Sequence, residues 1–144
     1  MKKIVINNCF GGFSLSPIGE REYLKLKGKQ AHFYKQTKYS FKDGANLYEK
    51  FEPSVDEREM FCHTLTKDMG KSFSEFPKED EVYFSGREIE RDDTDLIKVV
   101  ETLGDKANGA CAELKIVEIP DDADWEISEY DGNEHIAEKH RTWY

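Results

Sequence analysis

Three cysteines in 144 residues, Cys9, Cys62 and Cys111, are odd in number, far apart and without a CxxC pair. No disulfide framework is expected from them, and a reducing cytosol is their natural compartment. They read as small buried hydrophobes. The four histidines, His32, His63, His135 and His140, lack the close spacing of a structural zinc site. Cys62 and His63 are neighbours, so on a strand they face opposite sides and cannot hold one ion, and no metal is expected. Long apolar runs are also missing. Nothing approaches the roughly 20 residues that span a bilayer, and the opening MKKIVINNCFGG is expected to be neither a signal peptide nor a membrane anchor. Catalytic signatures are lacking as well, with no GxSxG, HExxH or HxE…CxxC pattern. Acids are plentiful around Asp121, Asp122, Asp124, Glu126 and Glu129, yet no pair stands out as acid and base. Neither a cofactor nor a set of catalytic residues is expected.

What is present suits one globular domain over residues 1–144. Hydrophobic residues make up 38% and aromatics 12%, enough for a core, although 35% charge and a mean hydropathy of -0.78 place the chain among the polar globular proteins. The net charge of -9 is unevenly distributed. Residues 1–50 hold ten Lys or Arg against four Asp or Glu, whereas residues 51–144 hold eleven against 26. Opposed electrostatic faces can join copies of a homo-oligomer, steer an anionic ligand to the basic part, or imitate nucleic acid with the acidic part; an ordinary solvated surface is the plain alternative. Net acidity disfavours general binding to a phosphate backbone.

The pattern of elements predicts an α+β fold, a single mixed or mainly antiparallel sheet with two helices packed on it. KKIVINN, residues 2–8, is apolar and β-branched and reads as a strand. Ser16 before Pro17 predicts a helix start and Gly28 its stop, with Gly19 weakening the first turn. Phe33, Tyr39, Phe41, Tyr48 and Phe51 can pave a hairpin turning at Lys42, Asp43 and Gly44. Glu52 to Glu59 reads as an exposed acidic loop and Met60 to Thr66 as a strand. Residues 68–80 are the loosest part, a mobile loop that Phe73 and Phe76 can pin. After a short strand at Val82 to Ser85, Asp92 or Asp93 caps the clearest helix, with Leu96, Val99, Val100 and Leu103 at helical spacing and Gly104 as stop. Glu113 to Ile119 is a strand ended by Pro120. Trp125 to Tyr130 and Glu134 to Trp143 form a hairpin across Asp131 and Gly132.

Three places can carry a ligand. CFGGFSLSP sets Gly11 and Gly12 between a strand and a helix start, where backbone amides can hold a phosphate or carboxylate; otherwise the glycines make a tight turn that sends Phe10 and Phe13 into the core. Arg87 and Arg91 can form a guanidinium pair for a phosphate, or pair with the acids next to them. Arg141 and Trp143 can stack a purine and bind its phosphate, unless the indole caps a core and the arginine makes a surface pair. If the arginines bind ligand, Arg87→Ala or Arg91→Ala abolishes binding with little loss of stability; a large stability loss with unchanged binding makes them structural.

The blocks KIVINNCFGGFSLS, IERDDTDLIKVVETLG, LKIVEIPDD, WEISEYDG and IAEKHRTW resemble a family of small proteins from bacteriophages and prophages of Gram-positive bacteria. The resemblance covers residues 1–16 and 87–143, roughly half the chain, and does not extend over 28–86. Thr94 stands where that group often has Pro at the first helical position. The resemblance implies a viral accessory protein in the cytoplasm of the bacterial host, and it implies no activity. By analogy of context, three roles fit: a counter-defence sponge that sequesters a nucleotide-derived immune signal, an acidic DNA mimic or protein-binding inhibitor of a host defence complex, and a nucleotide hydrolase. The sponge is the leading expectation. Its partner would be a small anionic nucleotide-like ligand held by Phe10, Gly11, Gly12, Phe13, Arg87, Arg91, Arg141 and Trp143, commonly in a homo-oligomer.

Overall fold

The structure, a computed structural model, describes residues 1–38, 47–53, 62–74 and 82–138. In chain order these form β1 (Lys2–Asn7), α1 (Pro17–Leu26), β2 (His32–Lys38), β3 (Leu47–Lys50), β4 (Cys62–Leu65), β5 (Ser72–Phe73), β6 (Tyr83–Phe84), α2 (Thr94–Leu103), β7 (Leu114–Ile119), β8 (Trp125–Tyr130) and β9 (Asn133–Glu138). Both helices begin as their sequences dictate. The Ser16 hydroxyl accepts from the Gly19 amide at 3.0 Å, with Pro17 already in helical geometry behind it, and Asp93 accepts from the amides of Asp95 and Leu96. Gly19 sits inside α1 because a Cβ there would lie 3.3 Å from the Ala107 carbonyl oxygen, so its small size lets the first turn close on that segment. Gly104, at φ 58°, ends α2.

The α+β class and the antiparallel pairing hold, but among the described residues the expected single sheet is three. β1 pairs with β7, β8 pairs with β9, and a five-stranded sheet runs in the order β5-β3-β2-β4-β6. What keeps β8–β9 apart from β1–β7 lies at the free edge of β1. Its Val5 amide donates to the Arg91 carbonyl at 2.8 Å and its Asn7 amide to the Glu134 carboxylate at 2.8 Å. With these donors taken by a loop and a side chain, β9 lies beside β1 without forming a ladder.

Two cores result. One gathers Val5, Phe13, Leu15, Tyr23, Leu96 and Val99 beneath α1 and α2. The other is aromatic, with Tyr34, Tyr48 and Leu65 of the larger sheet covered by Met69 and Phe73. Phe73 packs 4.9 Å from Tyr34 and 5.1 Å from Tyr48 between ring centres. Phe76 and the rest of 75–80 lie outside the described residues, as do Tyr39, Phe41, the turn at Lys42 to Gly44 and residues 54–59 of the acidic loop. Among the described residues no helix is long and apolar enough to cross a membrane.

Candidate functional site

The Gly-Gly bend is built into the protein by its neighbours. Asn7, fully buried at the end of β1, donates through Nδ2 to the carbonyls of Cys9 and Gly132, each at 2.7 Å, and accepts from the Glu113 amide through Oδ1. It therefore ties the bend, the β8–β9 turn and the entry to β7 to one side chain. Gly11, at φ 126°, donates its amide to the Asp131 carbonyl. A Cβ on Gly11 would lie 2.6 Å from that of Cys111, and one on Gly132 would run into the Gly12 backbone nitrogen. The glycines are where three backbones meet closely.

Phe13 enters the core at 5% exposure, while Phe10 stays outside at 57%, edge-on to the exposed ring of Tyr130. The Arg91 guanidinium lies 3.6 Å from the centre of the Phe13 ring and forms a two-pronged ion pair with Glu134, at 2.5 and 2.9 Å. Glu134 is itself 5% exposed and also accepts from the Asn7 amide. So Arg91 and Phe13 do come together, but Arg91 is neutralised from within. Arg87 is exposed on a 3₁₀ turn, Gly86–Glu88, rather than paired with Arg91 on one helix end. Arg141 and Trp143 lie outside the described residues.

A different set of cations surrounds a groove of about 500 Å³ between α1 and the β2–β3 part of the larger sheet. Arg21 and Lys25 share one face of α1 at i, i+4, and Lys29 follows just past the helix end, where the Lys29 amide donates back to the Leu24 carbonyl. Opposite them stand His32 of β2 and Lys50 of β3, with Phe33 and Phe51 supplying aromatic wall; among the described residues Glu52 is the single acid in the lining. Glu52 is 85% exposed and pairs with Arg21 at 2.8 Å, and Lys50 pairs with Asp68 at 2.9 Å. Lys25 and Lys29 form no ion pair with a described residue. Burial and then the nearby Lys50 charge pull the His32 imidazole below its ordinary pKa, with Asp68 opposing. Near neutral pH the groove thus offers uncompensated positive charge, a neutral imidazole and apolar rings, a combination suited to an anion carrying a planar ring.

The one local signal for this groove was the i, i+4, i+8 spacing of Arg21, Lys25 and Lys29. Its partners across the groove belong to segments brought up only by the fold. No protein-family model, curated protein or solved structure shows significant similarity to the chain.

Proposed function

We propose that the protein binds a small nucleotide-like anion in the groove between α1 and the β2–β3 strands and sequesters it without turning it over. What carries this reading is the positive charge left over there among the described residues: Arg21 and Lys50 are matched by Glu52 and Asp68, whereas Lys25 and Lys29 are not, and the rings of Phe33 and Phe51 stand beside them. The proposal is set in this groove because Lys25 and Lys29 have no acidic partner among the described residues, whereas Arg91 is already matched by Glu134. The resemblance to phage accessory proteins suggests the cytoplasm of a bacterial host as the setting, and analogy of context, with no activity carried over, suggests a nucleotide-derived immune signal as the ligand and counter-defence as the role. Self-association into a homo-oligomer belongs to the same reading.

The test is a melting-shift panel of cyclic nucleotides and ADP-ribose derivatives, followed by heat denaturation and recovery of the ligand. Binding at a hundredfold excess over Kd stabilises the fold by about 2.7 kcal/mol, and a sponge returns its ligand intact. Returned product would instead make the protein a hydrolase. Lys25→Glu and Lys29→Glu should remove the shift while leaving the unliganded melting temperature nearly unchanged.

A second reading, an inhibitor that imitates nucleic acid, is favoured by the exposed acids Glu118, Asp121, Asp122, Asp124, Glu126 and Glu129 along and between β7 and β8. It predicts no melting shift with any small anion, and salt-sensitive binding to a basic protein surface.

A further inference from the structure

We infer, resting on the groove reading above, that the ligand carries two separated phosphate groups and is a dinucleotide rather than a mononucleotide. A second depression, about 830 Å³, opens on the other side of Lys29 and Gln30, which line both hollows. Among the described residues its remaining wall is Gly28, Thr66, Lys67 and Val82, none of which carries a carboxylate. Gly28, at φ 77°, turns the chain at the end of α1, so Lys29 and Gln30 form the ridge between the two hollows.

Each hollow therefore has cations of its own, Arg21 and Lys25 on one side and Lys67 on the other, with Lys29 common to both. Lys67 is exposed and forms no ion pair with a described residue. Among the described residues the aromatic wall belongs to the first hollow, while Gln30 gives the second a neutral hydrogen-bonding group. A ligand matching this layout places a ring and one phosphate beside Phe51 and a second phosphate across the ridge at Lys67. A mononucleotide fills only the first hollow.

Titration calorimetry with the adenosine, guanosine and uridine monophosphates and with the corresponding 3′,3′-cyclic dinucleotides tests this. The expected result is a cyclic dinucleotide bound at least about tenfold more tightly than its monophosphate, a difference of roughly 1.4 kcal/mol. Lys67→Glu should erase that advantage and leave monophosphate binding unchanged, whereas Lys25→Glu should weaken both. If monophosphates and dinucleotides bind equally and Lys67→Glu alters neither, the two-phosphate inference fails and the groove reading stands. If no probe binds the unaltered protein, the groove reading fails and this inference with it. Affinity that keeps rising with each nucleotide added to a linear oligonucleotide would also overturn it, replacing two subsites with an open track.

Discussion

Among the described residues, Glu20 is the side chain least at ease. It lies on α1 against β4, its Oε2 buried without a hydrogen-bond partner, and burial drives its carboxyl from 4.5 up to about 7, a rise that a hydrogen bond with Thr64 only partly offsets. Because the folded state holds this proton more tightly than the unfolded chain does, the associated stability is complete below pH 4.5. It is lost as pH rises toward 7 and changes little beyond. The loss is about 3 kcal/mol from the size of the shift. Glu20→Gln should flatten this part of the pH profile and raise the urea midpoint at pH 8; an unchanged slope between pH 4.5 and 7 would discharge Glu20 from the role. Arg91 is the opposite case, a charge well provided for. Arg91→Ala leaves Glu134 buried without its cation and should cost about 3 kcal/mol in chemical denaturation, while exposed Arg87→Ala should stay within about 0.5 kcal/mol. Equal and small effects would mean the Arg91–Glu134 pair contributes little.

Among the elements, the bend after β1 depends on shape more than on charge. Gly11 combines a backbone conformation that side chains rarely adopt with a backbone and side chain of Cys111 directly in the way. Gly11→Ala should therefore destabilise by roughly 2 kcal/mol or more, measured by thermal unfolding, and should loosen the β8–β9 hairpin, seen as faster amide exchange at Asn133 to Glu138. Protection unchanged in that hairpin would show that the bend and the hairpin turn are not coupled. The helix starts are simpler. Ser16 and Asp93 act through hydrogen bonds to amides within three residues, so their role is legible locally, and so is the role of Asp131 and Gly132 in joining β8 to β9. The separation of the β8–β9 hairpin from β1 was not legible, because it arises where Glu134, from far along the chain, accepts the Asn7 amide and occupies a β1 edge that would otherwise be free.

For the whole molecule, charge is polarised. Residues 82–138 hold seventeen acids and five Lys or Arg, while the groove gathers Arg21, Lys25, Lys29 and Lys50. Two consequences follow for the proposed ligand. Raising salt from about 0.05 M to about 0.5 M shrinks the range of exposed charges to a few ångströms and should weaken binding several-fold. Acidification should strengthen it. His32 titrates below 6.5, so lowering the pH through that point adds a positive charge among Arg21, Lys25, Lys29 and Lys50, with Asp68 acting the other way. Affinity should rise between pH 8 and pH 5.5 in the unaltered protein and stay level in His32→Gln; parallel profiles would exclude His32 from the site.

The order and kind of most elements followed from the sequence itself: caps at Ser16 and Asp93, stops at Gly28 and Gly104, the apolar, β-branched run of β1, and the Asp-Gly turn. These are short-range effects, written within a few residues and little altered by what packs on them. The candidate site was not of that kind. Arg91 was legible as a phosphate ligand until the fold set Glu134 against it, and Lys25 and Lys29 share a groove only because Lys50 of β3 and Phe51 just after it come round to face them. Which charges are cancelled and which are left over depends on contacts between residues distant in the chain, so only the tertiary structure could decide it.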